Sequence, residues 1–256
     1  VTAGLVTVIG LGPGDPRYLT PSAAAALAAA TDIVGYGAYV DRAPLRAGQR
    51  RHASDNRVEV ERARFALDLA ADGGSVAVVS GGDPGVFAMA AALFEAYEAE
   101  TARWPGVAIK VEPGITAMLA VAARVGAPLG GDFCAISLSD NLKPWDVIVA
   151  RLKAVLAADL VIALYNPISK ARPWQLGEAL KLAGAERAAE TPVIFARAVG
   201  RPDETIRIVP LDRAIEAAET ADMSTLVMIG AAATRLIARA GEEPFVYTPR
   251  SVGVRP

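Results

Sequence analysis

The sequence holds one cysteine, Cys134, and one histidine, His52. A lone thiol excludes an internal disulfide framework and any multi-thiolate metal site. A lone imidazole argues against a His-rich metal centre and against a Ser–His–Asp triad. Both residues are read as structural, and no metal is expected. Long hydrophobic runs are also missing: no stretch of about 18 apolar residues resembles a membrane span. The most apolar helical stretch, residues 23–30, is short and Ala-rich. It follows a glycine loop rather than a positively charged start, so the expectation is a cytoplasmic enzyme rather than a secreted or membrane protein. Neither sign of charge dominates, with 26 Lys and Arg against 28 Asp and Glu and a net charge of −2. No global positive field exists to hold a polyanion, so a nucleic-acid partner is not expected. Lysine is scarce, limited to Lys110, Lys143, Lys153, Lys170 and Lys181. Arginine carries the remaining positive charge and offers a rigid bidentate fork to carboxylate ligands.

What is present is ample apolar material: 53% hydrophobic and 21% charged residues over 256 positions. That composition suits a folded core, in one large domain or two small ones. Short β-branched runs alternate with Ala/Leu-rich helical stretches. Strands are expected at 5–9, 32–35, 75–79 and 107–111, and helices after 20, over 58–72, 86–99 and 115–125. The helical pattern breaks at Gly126-Ala127-Pro128-Leu129-Gly130-Gly131, where glycine and proline favour a linker. Strands then recur at 133–138, 160–165, 192–196, 205–209 and 224–229. Helices are expected at 144–158, 174–182, 211–219 and 234–239. Strands alternating with helices indicate a mostly parallel or mixed sheet flanked by helices. The expected fold is therefore two α/β domains, 1–126 and 127–256.

Ligands of open α/β sheets collect where loops leave the carboxyl ends of strands, and four such loops stand out. Gly10-Leu11-Gly12-Pro13-Gly14-Asp15-Pro16 lacks both the G-x-G-x-x-G spacing and the Lys-Ser/Thr ending of a phosphate loop. Its prolines remove N–H donors, and Asp15 adds negative charge. It suits a ligand without phosphates, or a plain strand–helix turn capped by Asp15. In Ser80-Gly81-Gly82-Asp83-Pro84-Gly85-Val86-Phe87 the paired glycines admit a ligand to the backbone. Asp83 there reads either as an acceptor for a ribose or amino group or as a helix cap followed by proline. Pro113-Gly114-Ile115-Thr116-Ala117 opens a helix that Thr116 can cap. Leu164-Tyr165-Asn166-Pro167 ends an apolar strand with two polar groups.

In order and together, these loops resemble the tetrapyrrole methylase family, the class III S-adenosylmethionine-dependent methyltransferases, from about Leu5 to about Thr234. Finer markers are the run Gly82 to Ala90, the segment Ile136-Ser137-Leu138-Ser139-Asp140 with Pro144-Trp145, and Tyr165-Asn166-Pro167-Ile168-Ser169 with Arg172. They are similar to the branch that methylates carbon 17 of a precorrin, with ring contraction. The resemblance implies a homodimer of two-domain α/β subunits, with the cofactor in the cleft between the domains. It implies cofactor contacts at Pro13, Gly81, Gly82, Asp83, Val86, Thr116, Ala117, Asn166 and Ala198. Asn166 stands where relatives often carry methionine. S-adenosylmethionine is the implied methyl donor and S-adenosylhomocysteine its product. The implied tetrapyrrole acceptor bears many carboxylates, for which Arg42, Lys170 and Arg172 in predicted loops are the candidate ligands.

Methyl transfer from a sulfonium needs no enzyme nucleophile, because the cofactor carries the activated group. Ring contraction adds proton transfers, for which Asp140 and Tyr165 are the candidates; Asp140 reads equally as a cap before the Trp145 helix. Alternatives are a sister corrin-pathway methylase (carbon 11, carbon 20, or a cobalt-containing substrate) and, outside the class, an NAD-dependent oxidoreductase using Gly10–Gly14.

Overall fold

The computed structural model describes residues 4–44, 46–55 and 58–251. Among them, no helix is long and apolar enough to cross a membrane. The chain divides into two compact units, the first running to Ala117 and the second starting at Met118.

The first unit is built on five strands: β1 (Leu5–Gly10), β2 (Asp32–Tyr36), β3 (Arg50–Ser54), β4 (Ser75–Ser80) and β5 (Ala108–Glu112). They lie in the order β3-β2-β4-β1-β5, and every neighbouring pair is parallel. Four helices alternate with them: α1 (Pro21–Ala29), α2 (Gly37–Arg42), α3 (Glu59–Ala71) and α4 (Met89–Ala99). Side chains alternate across the pleat. Val6, Val8, Val34, Val76 and Val78 therefore pack with Ala63, Leu67 and Leu93 of α3 and α4. Ile9, Ile33, Ala77 and Val79 face the other way, onto Ala23 and Leu27 of α1. Strands covered on both faces read as near-continuous apolar runs, as β4 does and β1 does but for the buried Thr7. Thr20 starts α1, its hydroxyl accepting the Ala23 N–H at 3.2 Å, with Pro21 in the first turn.

The second unit contains α5 (Ala117–Val125, whose first residue ends the first unit), β6 (Gly126–Ala127), β7 (Phe133–Ser137), α6 (Trp145–Ala157), β8 (Val161–Tyr165), α7 (Gln175–Glu186) and β9 (Pro192–Arg197). It continues through β10 (Thr205–Pro210), α8 (Ala214–Ala217), β11 (Thr225–Ile229), β12 (Arg235–Arg239) and β13 (Glu242–Tyr247). Its main sheet runs β10-β9-β11-β8-β7. Only β7 and β8 pair in parallel; β11 runs against both β8 and β9. One face of this mixed sheet buries Leu164, Ile162, Phe195 and Val227 against Ile148, Leu152, Leu176 and Leu180 of α6 and α7. A second, small sheet joins β12, β13 and β6.

Three segments differ from the expected elements. Residues 235–239, expected as helix, form β12: Gly241, with φ of +73°, turns the chain into a hairpin with β13. Residues 211–219 are broken into the single turn of α8 between two 3-10 turns. Residues 86–88 remain a loop, because Phe87 has φ of +52° and cannot continue a helix.

Candidate active site

In the first unit, the loops after β1, β4 and β5 are in backbone contact. Gly12 and Gly82 exchange two hydrogen bonds, Gly12 N–H to Gly82 O at 3.1 Å and Gly82 N–H to Gly12 O at 2.9 Å. Leu11 N–H donates to Ser80 O at 2.9 Å. The third loop closes on the same point: a Cβ on Gly114 would lie 2.2 Å from Gly82 O and 2.9 Å from Gly10 Cα. No side chain fits where these three backbones meet. Pro13 is buried beside this junction, and a Cβ on Gly81 would meet the Tyr39 ring at 2.8 Å.

Asp83 ties two of the loops together. Its Oδ1 accepts the Gly85 N–H at 2.8 Å, and its Oδ2 accepts the Gly114 N–H at 3.0 Å. Asp15 bonds within its own loop, capping a 3-10 turn at Arg17 N (2.8 Å) and pairing with the exposed Arg17 guanidinium at 2.7 Å. Val86 is half-buried, with its N–H on Asp83 O at 3.3 Å. Thr116 is buried next to the loop after β4, where Gly82 faces its Cα, and the half-buried Ala117 begins α5. Arg42, the last residue of α2, reaches the first loop: its Nη2 donates to Gly12 O at 3.3 Å. It also edges a hollow of about 70 Å³ with Leu11, Gly14, Pro16, Leu19 and Pro44.

These bonds decide which nucleotide the loops can take. A phosphate cradle needs backbone N–H groups free to point at the ligand. Here the amides of Leu11, Gly12, Gly82, Gly85 and Gly114 already donate within the protein. The cradle is poor for a dinucleotide pyrophosphate. It suits a phosphate-free nucleoside with a positive centre, facing glycine backbone and carbonyl oxygens.

In the second unit, the loops after β7, β8 and β9 carry the remaining candidates. Asn166 and Ala198 have φ of +50° and +51°, a left-handed conformation rare outside glycine and costly to hold. The Asn166 side chain donates to Ser137 Oγ at 2.9 Å. The buried Ala198 donates its N–H to Ser224 O at 3.0 Å. Glu204 steadies that loop, taking the Gly200 N–H at 2.6 Å and Arg124 Nε at 2.8 Å. Burial alone would raise the Glu204 pKa, but the bonds from Arg124 and Gly200 outweigh it and hold the carboxyl below its usual range.

Tyr165 lies at the end of β8, and its Oη accepts the Met118 N–H at 3.0 Å, in the first turn of α5. Asp140 Oδ2 accepts from Gln175 Nε2 at 3.1 Å, and Oδ1 lies 4.0 Å from Arg172 Nε. Lys170 and Arg172 share one tight turn, closed by mutual backbone bonds between Ser169 and Arg172, yet they part company. Lys170 is exposed, whereas Arg172 is only 7% exposed. The Arg172 guanidinium turns inward to Asn166 O at 3.2 Å and Met223 Sδ at 3.8 Å.

Tyr39, Gln175 and Glu204 join the candidates only in the fold: Tyr39 lies on the short helix α2, which no side chain caps, and a helix-opening glutamine looks like any other in the sequence. A larger hollow of about 360 Å³, with Asp159, Arg187, Thr191 and Thr234 in its lining, opens at the amino ends of β8 and β9. It lies at the opposite end of those strands from Asn166 and Ala198 and holds none of the candidate residues.

Comparison with known proteins now bears on this geometry. Residues 5–215 match the family described as tetrapyrrole (corrin/porphyrin) methylases. The chain is 58% identical over 247 residues to a precorrin-3B C(17)-methyltransferase of Sinorhizobium sp, covering 96% of each. It is 51% identical over 251 residues to the cobalamin biosynthesis protein CobIJ of Mycobacterium tuberculosis, covering 96% of this chain and 48% of that protein. Among solved structures, the methyltransferase CobJ superposes with a TM-score of 0.90 at 53% identity, over 96% of this chain and all of that one.

Proposed function

The chain belongs to the tetrapyrrole methylase family, and from that premise we propose that it is a methyltransferase of cobalamin biosynthesis. The reaction proposed is S-adenosylmethionine-dependent methylation of carbon 17 of precorrin-3B, with ring contraction to precorrin-4. The observation that carries this reading is the 58% identity to a precorrin-3B C(17)-methyltransferase across 96% of both chains. The inward-turned amides of Leu11, Gly12, Gly82, Gly85 and Gly114 support it against an NAD-dependent reading, because a pyrophosphate there loses those five donors.

S-adenosylmethionine, when bound, supplies a methyl group on a sulfonium that a carbon nucleophile can displace in line. The protein's part is chiefly alignment, which can contribute about 7–11 kcal/mol to such a step. Pro13, Gly81, Gly82, Asp83, Val86, Thr116, Ala117, Asn166 and Ala198 are the cofactor-binding residues in this reading. Tyr165 and Asp140 handle the protons of ring contraction. The Met118 N–H at a helix N-terminus favours negative charge developing on Tyr165 Oη. Lys170 and Arg42 meet acceptor carboxylates. Arg172, enclosed by Asn166 and Met223, holds the loop rather than reaching outward. The working form in this reading is a cytoplasmic homodimer, which sedimentation of the purified protein tests.

The decisive experiment is product analysis after incubating the protein with S-adenosylmethionine and precorrin-3B. One added methyl per turnover, located at carbon 17 by labelled-methyl NMR, with stoichiometric S-adenosylhomocysteine, is the expected result. Methylation at carbon 11 or 20 would make it a sister enzyme. Turnover confined to the cobalt-containing substrate would move it to the cobalt-first route.

A further inference from the structure

Gln175 opens α7 and is only 1% exposed. Its neighbours Leu176, Ala179 and Leu180 belong to the apolar core. Burying a carboxamide is unfavourable unless its polar atoms find partners. Its Nε2 has one, Asp140 Oδ2 at 3.1 Å, but Oε1 is buried with no hydrogen-bond partner among the described residues. A side chain needed only for packing would do better here as an apolar residue of similar shape. The only work visible for the amide is its bond to Asp140.

That bond has a counterpart. The other Asp140 oxygen, Oδ1, faces Arg172 Nε at 4.0 Å, and Arg172 is fixed from behind by Asn166 O and Met223 Sδ. Asp140 itself is partly open, with 26% of its side chain exposed, and Leu142 two positions on is almost fully exposed. A carboxylate at such a loop would sample several rotamers. One buried donor, on the first turn of α7, bonds it, and the Arg172 guanidinium on the loop after β8 faces its other oxygen; together they bias it toward one orientation.

We infer that Gln175 is a positioning residue: its amide, opposite Arg172, sets the orientation in which the Asp140 carboxylate meets the acceptor. The inference rests on the reading that Asp140 assists proton transfer, and the test separates the two. Gln175→Met, Asp140→Asn and the double variant are made in the full chain. Steady-state kcat and KM are measured with precorrin-3B and S-adenosylmethionine, alongside thermal unfolding.

Gln175→Met removes an unbonded buried acceptor, so its melting temperature should match or exceed that of the parent. Its kcat should fall about tenfold with the KM for S-adenosylmethionine unchanged. Asp140→Asn should lower kcat by about 100-fold or more, the usual scale for proton-transfer groups. The double variant should be no slower than Asp140→Asn alone, because Gln175 acts through that carboxylate. Parent kcat in Asp140→Asn would overturn the reading of Asp140. A slow Asp140→Asn beside a Gln175→Met at parent kcat would overturn the positioning role, as would single effects that multiply in the double variant. Gln175→Leu serves the same comparison if Gln175→Met does not fold.

Discussion

Asp83 and Gly114 are joined across 31 residues of chain by a 3.0 Å bond from the Gly114 N–H to the carboxylate Oδ2. With its other oxygen on Gly85 N–H at 2.8 Å, the side chain holds the loop after β4 against the loop after β5. Hydrogen bonds to a charged group are worth about 1.5–3 kcal/mol each. Two such bonds would give about 3–6 kcal/mol if fully buried; because the Gly85 bond is exposed, Asp83→Ala should lower unfolding free energy by about 2–4 kcal/mol, more than the roughly 1 kcal/mol of a simple lost cap. Urea denaturation measures this. Calorimetry with S-adenosylhomocysteine on the same variant should show weakened binding, because the loops separate.

Gly114→Ala tests the meeting of the three loops directly. The new methyl would sit 2.2 Å from Gly82 O, inside any tolerable contact, so one backbone must move. Affinity for S-adenosylhomocysteine should drop tenfold or more, read by calorimetry. An Ala variant binding as tightly as the parent would remove the junction from the cofactor site.

Away from the site, Asp32 at the start of β2 is fully buried. Burial raises its pKa, but hydrogen bonds from Arg50, His52 and Thr31 outweigh that effect and lower it from 3.8 to about 2. A depressed carboxyl pKa contributes stability above the unfolded value, and that contribution is lost as pH falls through the folded value. Asp32→Asn should cost about 2 kcal/mol at pH 7. The gap between parent and variant should narrow between about pH 4 and pH 2. Chemical denaturation across that range checks both the size and the sign.

Lys170 and Arg172 should respond in opposite ways despite sharing one turn. Lys170→Ala should raise the KM for the precorrin by about fivefold at most, since an exposed ion pair is worth about 0–1 kcal/mol. Its melting temperature should not move. Arg172→Ala should lower the melting temperature and kcat together, because Asn166 O loses its donor and Asp140 loses its facing guanidinium. Kinetics and calorimetric melting on the two variants separate a solvent-facing ligand from an internal clamp.

Much of this was legible in the chain before any coordinates. The near-continuous apolar runs of β1, β4 and β8 announce strands buried on both faces, and the Gly/Pro loops after them mark the ligand end of the sheet. What stayed hidden was set by distant partners. The β3 strand is polar, Arg50–Ser54, and is a strand because it pairs with β2. β12 carries apolar and basic residues that suit a helix equally well until Gly241 turns the chain. Arg172 in a predicted loop reads as a ligand for acceptor carboxylates, and only the fold shows its guanidinium facing inward. Positive φ at Ala198 leaves no trace in an alanine, whereas at Asn166 the Asn-Pro pair, a turn signal with a residue that tolerates the left-handed region, hints at it.

The register of β1 has a consequence for how the first unit comes into being. Both of its neighbours lie far downstream: Leu5 pairs with Ser75 on one side and Ala108 on the other. On a ribosome, β1 must wait until some hundred further residues have been added before its second edge is covered. Throughout that interval Val6, Val8 and Ile9, all fully buried in the finished protein, stand beside unpaired backbone. Such non-local pairing folds slowly and leaves strand edges open to other chains. The nascent chain is therefore most exposed to aggregation between the synthesis of β1 and that of β5, and the yield of folded protein should rise when a holdase chaperone is supplied.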